Sequence, residues 1–387
     1  MTTIAHTLPP HTPSPNGQPP NGQSPNPQSP NPQSPHTPSQ HSLAAGTTRR
    51  ARELTEPLLR EAVALLEPWT AMMSSYHLGW CAADGSPVEL DSGKAVRPAL
   101  AVLAAEAVGA PAEAALPGAA AAELIHNFSL IHDDIMDGDE ERRRRPTVWK
   151  EFGVSGAILA GDALQVLAFD LLLAKGGPHG PAAAGHLAVA LRELVEGQAC
   201  DIRFSERPWS GPGTVTVAEY QAMAMAKTGA LLAGASAMGA VLGGADRPLV
   251  HALAEAAGQL GLAFQCVDDI LGIWGDPAVT GKPVRGDLRE RKKSLPVVAA
   301  SAASGTVARR LAELLADGRA PAGEEEAEKV LLEAAALIEE GGGRRACERE
   351  AEQALARARA SLDLVPMPAG VRAQYTALAD SFVSRVM

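Results

Sequence analysis

LIHDDIMDGDEERRRRP, from Leu130 to Pro146, is the stretch that decides the fold and chemistry of this chain, because it concentrates six carboxylates and four arginines. At helical spacing Asp133 and Asp137 share one face, and Asp134 points about 100° away from Asp133. Carboxylates this close repel one another unless a cation lies between them. Mg²⁺ prefers oxygen ligands and commonly carries phosphate oxygens, which the arginines also suit. The stretch therefore predicts a metal–phosphate site, with a solvated helix end held by i,i+4 ion pairs as the alternative.

A second segment repeats this arrangement. QCVDDILG (Gln265–Gly272) places Asp268 and Asp269 after an apolar helical lead-in, and basic residues follow at Lys282 and Lys292. Neither segment has the spacing of a zinc, EF-hand or P-loop motif. Two Asp-Asp pairs far apart in sequence, each followed by basic residues, indicate two walls of one metal–diphosphate site.

Five blocks, taken in order, resemble the polyprenyl synthetase family, the all-trans (head-to-tail) isoprenyl diphosphate synthases. The blocks are GKAVRP (93–98), HNFSLIH (126–132) with DDIMD (133–137), RR (142–143) with PTV (146–148), KTG (227–229), and the run from Gln265 through GDP (275–277), TGKP (280–283) and DL (287–288) to Lys292. Each block alone is weak evidence, but five in the family's order are highly specific. The resemblance covers the chain from about residue 50 to its end. It implies a single all-α domain, a bundle or barrel of long antiparallel helices around a central cavity, and a homodimer.

Composition also favours a helical enzyme. The chain has 387 residues, of which 46% are hydrophobic, and a net charge of −11. Alanine and leucine dominate without alternating β-branched runs, so helix is expected. Helices are predicted from about Arg49 onward and near 94–109, 117–137, 147–176, 180–205, 216–244, 248–272, 288–303, 306–316, 326–340, 344–362 and 370–386. The acidic balance offers no basic face for nucleic acid. The lack of CxxC spacing and of a secretory signal predicts a cytoplasmic protein with free thiols.

The composition changes sharply near residue 47. Residues 1–48 contain no Asp, Glu, Lys, Arg, Phe, Trp or Tyr, and Pro, Asn, Gln and Ser dominate. Such a segment cannot bury enough apolar surface to offset its ordering entropy. We therefore predict a disordered tail over residues 1–46 and one synthase domain over residues 47–387. The tail is either a plain spacer or a docking segment, similar to those that load some bacterial terpenoid enzymes into encapsulin protein shells.

The resemblance also implies roles for individual residues in joining isopentenyl diphosphate to an allylic diphosphate. Diphosphate leaves only when its charge is neutralised, so cations must gather around it. The implied metal ligands are Asp133, Asp137 and Asp268, holding three Mg²⁺ ions per active site, with Asp134 as a supporting carboxylate. The implied allylic-site residues are Arg142, Lys227, Lys282 and Lys292, with Thr228 and Gln265 also contacting substrate. The implied isopentenyl diphosphate residues are Lys94, Arg97, His126 and Arg143.

The sequence departs from the family's motifs at four positions. Gly272 replaces the last aspartate of the usual DDxxD, Ala95 replaces a basic residue, Arg285 replaces a small residue, and Arg144 replaces a glycine. We expect activity to survive, because Asp268 is the more direct metal ligand.

Product length is expected to depend on Phe128 and Ser129, which lie about one helical turn before Asp133. A bulky Phe blocks the growing chain, whereas Ser leaves room. This pattern resembles bacterial synthases that stop at geranylgeranyl diphosphate (C20). Farnesyl diphosphate (C15) is the nearest alternative, and geranyl or C25 and longer products fit less well.

Two other classes of protein remain open. A class I terpene cyclase shares the helical fold, the aspartate motif and Mg²⁺, but it would carry an Asn-Asp/Ser/Glu triad in place of DDILG. A non-catalytic synthase subunit typically loses the aspartate motifs, and DDIMD is intact here. Taken alone, His126 would be interpreted as a hydrogen-bonded core histidine. Gln198 and Asp201 would be interpreted as an inward polar helix face.

Overall fold

The computed structural model describes residues 40–90, 93–276, 284–303, 305–316 and 323–383, which are mostly helical. Their α-helices, in chain order, are α1 (Gln40–Val63), α2 (Pro68–His77), α3 (Val96–Ala107), α4 (Leu116–Asp137), α5 (Val148–Lys175), α6 (Gly180–Ser205), α7 (Val217–Ala224), α8 (Ala230–Leu242), α9 (Arg247–Trp274), α10 (Gly286–Arg289), α11 (Leu295–Ala302), α12 (Thr306–Ala316), α13 (Glu324–Glu340), α14 (Gly343–Asp363) and α15 (Ala369–Val383). Short 3₁₀ turns occupy Ala112–Ala115 and Gly177–His179, and a π-helical turn occupies Met225–Gly229. A hairpin of β1 (Glu141–Arg142) and β2 (Arg145–Pro146) follows α4. The predicted all-α class is confirmed.

Local signals set the ends of the helices that matter most for the site. Asp246 caps α9 by accepting a hydrogen bond from the backbone N–H of Leu249, and a capping box of Thr216 and Glu219 opens α7. Gly138, with φ of 71°, ends α4 immediately after Asp137. The DDIMD motif therefore forms the last turns of a helix, at its open end.

The helices pack as a bundle. α4 packs on α5 and α3, while α8 packs on α3, α6 and α9, and α9 also packs on α14. α8 is buried along nearly its whole length, because its small residues allow neighbouring helices to approach closely. Gly239 is the clearest case, since a Cβ there would lie 2.0 Å from the carbonyl oxygen of Ala101. The bundle encloses a cavity between these helices.

Three predicted helices differ from the helices that the structure shows. The predicted helix 216–244 is interrupted by the π-helical turn, and the predicted helix 288–303 is divided into α10 and α11, with Pro296 in the first turn of α11. α1 begins at Gln40, within the segment assigned to the tail, and Ala44 is 4% exposed. Ala44 is the only buried residue of 40–46, and α1 contacts α15.

Two stretches, Val148–Lys175 and Val217–Leu242, are long and apolar enough to cross a membrane by length and composition. Buried core helices meet the same criterion. In the second stretch 72% of the apolar window is buried inside the protein, compared with 44% in the first. The second stretch is therefore a core segment.

Candidate active site

A cavity of about 670 Å³ lies among α3, α4, α6, α9 and the π-helical turn. Predicted site residues from every block line this cavity: Lys94, Arg97, His126, Arg142, Arg143, Lys227, Thr228, Gln265, Asp268 and Lys292. Lys282 lies outside the described residues. The blocks that are scattered along the sequence thus come together at one place.

The aspartates of the first motif differ in their surroundings. Asp134 is 1% exposed and accepts hydrogen bonds from Arg142, with an Nε–Oδ1 distance of 2.8 Å. It therefore holds the arginine hairpin against α4. Burial raises the pKa of Asp133 to about 6, and the Asp137 carboxylate acts in the same direction. Lys292 approaches Asp137, with an Nζ–Oδ2 distance of 4.0 Å.

The two aspartates of the second motif also differ in their surroundings. Asp268 and Asp269 both line the cavity, but Asp269 is only 3% exposed. Asp269 accepts hydrogen bonds from the Tyr220 hydroxyl, the Gln265 amide and the backbone N–H of Leu295. Burial nevertheless raises the pKa of Asp269 to about 7. Asp269 thereby ties α9 to α7 and α11 and fixes the helix that carries Asp268.

This donor set fits a metal ion that arrives with diphosphate. The described residues contain no cluster of three or more His, Cys, Asp or Glu side chains able to hold a metal by themselves. Mg²⁺ usually keeps several waters and binds one or two carboxylates together with substrate phosphates. Asp268 lines the cavity, whereas Asp133 and Asp137 are not among its lining residues, and the buried Nε of Arg97 has no hydrogen-bond partner within the described part of the chain. Carboxylates and cations around one cavity suit a metal–diphosphate complex.

The π-helical turn places Lys227 and Thr228. The Nζ of Lys227 lies 2.6 Å from Oδ2 of Asp201, and the Thr228 hydroxyl donates to Oε1 of Gln265 at 2.7 Å. Wide helical turns of this kind are frequent at functional sites. The turn packs against Gly197 of α6, where a Cβ would lie 2.3 Å from the backbone nitrogen of Lys227. Asp201, interpreted from sequence as part of a polar helix face, also lines the cavity.

A second group of cations lies at the start of α3. Burial lowers the pKa of Arg97, while the charges of Glu123 and Asp268 oppose this shift. Burial, followed by the charges of Arg97 and Arg143, lowers the pKa of His126 well below its ordinary value. His126 is therefore neutral at pH 7. Glu123 was missed by the sequence reasoning, although it lies almost one helical turn before His126.

The arginine hairpin presents Arg142 and Arg143 to the cavity. Arg143 and Arg144 form the two-residue turn with φ of 53° and 62°. The guanidinium of Arg145 donates to the backbone oxygens of Tyr76 and Cys81 and anchors the hairpin. A Cβ at Gly93 would approach Nη2 of Arg143 to 3.1 Å, so Gly93 leaves space for that guanidinium.

Three of the four departures share a backbone property. Ala95, Arg144 and Arg285 have φ of 50°, 62° and 59°. This left-handed region is uncommon for residues with a Cβ and favours glycine. Such backbone costs on the order of 1 kcal/mol or more at each position.

Phe128 and Ser129 do not line the 670 Å³ cavity. Phe128 is 7% exposed, and its ring meets that of His132 edge-on, with 4.8 Å between centroids. His132 in turn packs on Gly161 of α5. The Ser129 hydroxyl donates to the backbone oxygen of His126. Phe128 therefore lies in the α4–α5 packing, and the Ser129 hydroxyl is hydrogen-bonded within its own helix.

The fold and cavity define a helical protein in which cations from several helices and the carboxylate of Asp268 surround one cavity. The family model for polyprenyl synthetase matches residues 88–334, and the chain belongs to this family. It is 48% identical over 305 residues to the (2E,6E)-farnesyl diphosphate synthase of Mycobacterium tuberculosis, covering 78% of this chain and 82% of the relative. It is 42% identical over 328 residues to the geranylgeranyl diphosphate synthase of the same organism, covering 84% and 91%.

Solved structures agree with this assignment. A polyprenyl synthetase from Streptomyces coelicolor A3(2) superposes with a TM-score of 0.82 at 50% identity, covering 88% of this chain and 99% of that one. A geranylgeranyl pyrophosphate synthase from Corynebacterium glutamicum, solved with isoprenyl diphosphate and magnesium, has a TM-score of 0.71 at 26% identity, covering 90% and 99%. The protein is a short-chain prenyltransferase, and the predicted enzyme class is confirmed.

Proposed function

We propose that the protein condenses isopentenyl diphosphate with an allylic diphosphate, head to tail, in a Mg²⁺-dependent reaction. The observation that carries this proposal is a single cavity that combines Asp268, the cations of the GKAVRP block, and Lys227 of the KTG turn. Two separate groups of cations suit two diphosphates. Asp133 and Asp137 are not among the residues that line this cavity, but their charges interact with Lys227, which lines it.

The chain's own residues bind and orient the substrates. Arg142, Lys227 and Lys292 hold the allylic diphosphate, with Thr228 and Gln265 beside it, and Lys282 is proposed to join them. Asp133, Asp137 and Asp268 would hold three Mg²⁺ ions, whose charge would neutralise the leaving diphosphate. Arg142 is fixed for this role by its ion pair with Asp134.

Isopentenyl diphosphate is held by the second group of cations. Lys94, Arg97 and Arg143 bind its diphosphate, and neutral His126 contributes a hydrogen bond rather than a charge. The double bond of isopentenyl diphosphate attacks the allylic cation, and the proton then lost passes to the departing diphosphate.

The proposed metal site is tested by Asp133→Asn and Asp268→Asn. Each substitution keeps the side-chain shape and removes the charge, so turnover should fall more than about 100-fold while the helical fold remains. Asp170→Asn, on the exposed face of α5, is the matched control and should keep full turnover. Near-normal turnover of either site variant with Mg²⁺ supplied would refute the assignment.

We propose geranylgeranyl diphosphate as the main product, because Phe128 lies below the DDIMD turn with small Ser129 beside it. Farnesyl diphosphate is the second candidate, favoured by the higher identity to the mycobacterial farnesyl diphosphate synthase. Incubation of the full chain with isopentenyl diphosphate, geranyl diphosphate and Mg²⁺, followed by chromatography of the dephosphorylated products, separates C15 from C20. A product that stays at C15 when isopentenyl diphosphate is in excess excludes the C20 proposal.

We also propose a homodimer formed through α5. An apolar stripe of Val154, Ile158, Val166 and Leu173 is exposed along this helix, and stripes of this kind often mark protein interfaces. Val166→Asp should yield a monomer in light scattering, whereas Leu332→Asp, at an exposed leucine of α13, should leave the mass unchanged. A monomeric parent protein would exclude the dimer.

For the N-terminal segment we propose a docking role in the cytoplasm, with an encapsulin-type shell as partner. Its uncharged composition is the support, since it offers little to a folded core. Residues 1–39 fused to a fluorescent protein should sediment with co-expressed encapsulin shells. Fluorescence that stays in the supernatant would refute the docking role and indicate that the segment is a plain spacer.

A further inference from the structure

Gly272 stands where the family's second motif has its last aspartate, and the space beside it is already filled. A Cβ built on Gly272 would lie 2.4 Å from Oδ2, 2.5 Å from Cγ and 2.6 Å from Oδ1 of Asp287. The carboxylate of Asp287, in α10, therefore occupies the position into which a side chain at residue 272 would project. Glycine is the residue that permits this approach.

The Asp287 carboxylate belongs to the charged wall of the cavity. Asp287 and Gly272 both line the cavity together with Asp268. The backbone oxygen of Asp287 accepts a hydrogen bond of 2.8 Å from the N–H of Lys292. Although burial lowers the pKa of Lys292, Glu290 and the charges of Asp137 and Asp287 outweigh it and raise that pKa. Asp287 therefore interacts with Lys292, the cation that also approaches Asp137 of the first aspartate motif.

A second departure from the family holds Asp287 in place. Arg285, which replaces a small residue, precedes α10 with left-handed backbone. Its guanidinium pairs with Glu328 of α13, and Arg289 pairs with the other oxygen of the same carboxylate. Two arginines on one carboxylate fix α10 on both sides of Asp287. The departures at positions 272 and 285 are therefore parts of one arrangement.

We propose that Asp287 supplies the carboxylate that Gly272 lacks, so that Asp268 and Asp287 together form the second wall of the metal–diphosphate site. This inference rests on the Mg²⁺-dependent function proposed above. Arg285 and Glu328 are positioning residues for Asp287. Carboxylates that orient a metal ligand or its water commonly contribute 10- to 100-fold to metal affinity.

The test exchanges the two positions and measures metal binding without turnover. Mn²⁺ is titrated into the full chain with saturating inorganic diphosphate, and free Mn²⁺ is followed by electron paramagnetic resonance. Asp287→Asn should weaken Mn²⁺ binding about 10-fold or more. Gly272→Asp alone should also weaken it, because the new side chain collides with Asp287 and adds a like charge. The double variant Gly272→Asp/Asp287→Gly should recover most of this loss.

Two further variants separate size, charge and folding. Gly272→Ala adds the clash without charge, so it should reproduce part of the Gly272→Asp loss. Glu328→Gln lies outside the cavity and keeps Asp287 intact, so weaker Mn²⁺ binding in this variant reports positioning alone. If Asp287→Asn fails to fold, as judged by circular dichroism, Glu328→Gln and the exchange still decide the outcome.

Parent-like Mn²⁺ binding by Asp287→Asn would overturn the inference, as would an exchange no better than Gly272→Asp alone. Asp268→Asn distinguishes this result from a failure of the proposed function. Loss of Mn²⁺ binding in Asp268→Asn with no change of Mn²⁺ binding in Asp287→Asn would refute only the role of Asp287. Full Mn²⁺ binding and turnover in Asp268→Asn would instead refute the proposed metal-dependent function itself.

Discussion

Gly197→Ala provides the sharpest test of how the fold positions the diphosphate site. Gly197 lies on α6 against the π-helical turn that carries Lys227. An added Cβ would lie 2.3 Å from the Lys227 nitrogen and 2.7 Å from its Cα, whereas ordinary contacts begin near 3.4 Å. Both contacting atoms are backbone, so rotation of a side chain cannot relieve them. The turn or α6 must move by about 1 Å.

The expected effect on activity is larger than the effect on stability. Overpacking costs about 1–3 kcal/mol, and the better helix propensity of alanine offsets about 1 kcal/mol of this. The net loss in the free energy of unfolding is then about 0–2 kcal/mol. A shift of about 1 Å in a substrate-positioning group can cost about 100-fold in rate. Lys227 and Thr228 move with the turn, so kcat and the KM for the allylic diphosphate should both worsen.

Gly185→Ala is the matched control on the same helix. Gly185 is exposed, and nothing lies within 4 Å of the position that the alanine methyl group would take. This variant should keep full turnover and gain up to about 1 kcal/mol of stability. Both variants are assayed with isopentenyl diphosphate, an allylic diphosphate and Mg²⁺, and melting temperatures are recorded. Turnover of Gly197→Ala within threefold of Gly185→Ala would refute the tight packing of the π-helical turn.

Three further outcomes are expected. Phe128→Ala should lengthen the main product by at least one isoprene unit, since each methylene of the product that becomes buried stabilises the bound chain by ~0.8 kcal/mol. An unchanged product distribution would show that Phe128 does not limit the length of the product. Because the pKa of Asp133 is raised to about 6 and a metal binds only the ionised carboxylate, Mn²⁺ affinity with diphosphate should fall as the pH drops from 7 to 5. A pH-independent affinity over this range would contradict that role. Deletion of residues 1–39 should leave turnover and melting temperature unchanged. Deletion of residues 1–46 should lower the melting temperature, because it also removes the first turns of α1 and buried Ala44. Equal melting temperatures of the two deletion variants would argue against a stabilising role for those turns.

Much of the helical framework could be predicted from the sequence. The periodic pattern predicts α12 at 306–316, as observed, and the ends of α4 and α6 within a residue or so. These predictions succeed because helix periodicity, caps and glycine stops act within one segment of chain. The same locality explains why DDIMD could be assigned to one helix face before any packing was known.

The roles of several charged residues could not be predicted in this way. Glu123, Tyr220 and Asp201 carry no motif that separates them from ordinary polar residues of a helix. Tyr220 acquires its role only when α7 packs against α9 and its hydroxyl meets Asp269. Likewise Asp201 becomes part of the site because α6 meets the π-helical turn.

By itself the sequence determined the helical class, the two aspartate motifs, the family and most residues of the cavity, because each depends on residue type and local spacing. Only the tertiary structure decided which carboxylates are buried anchors and which face the cavity. It also decided that the space beside Gly272 is filled by Asp287 rather than left empty. The physical reason is that spacing along the chain assigns a side chain to a face of its own helix, whereas distances between helices follow from how whole faces pack together.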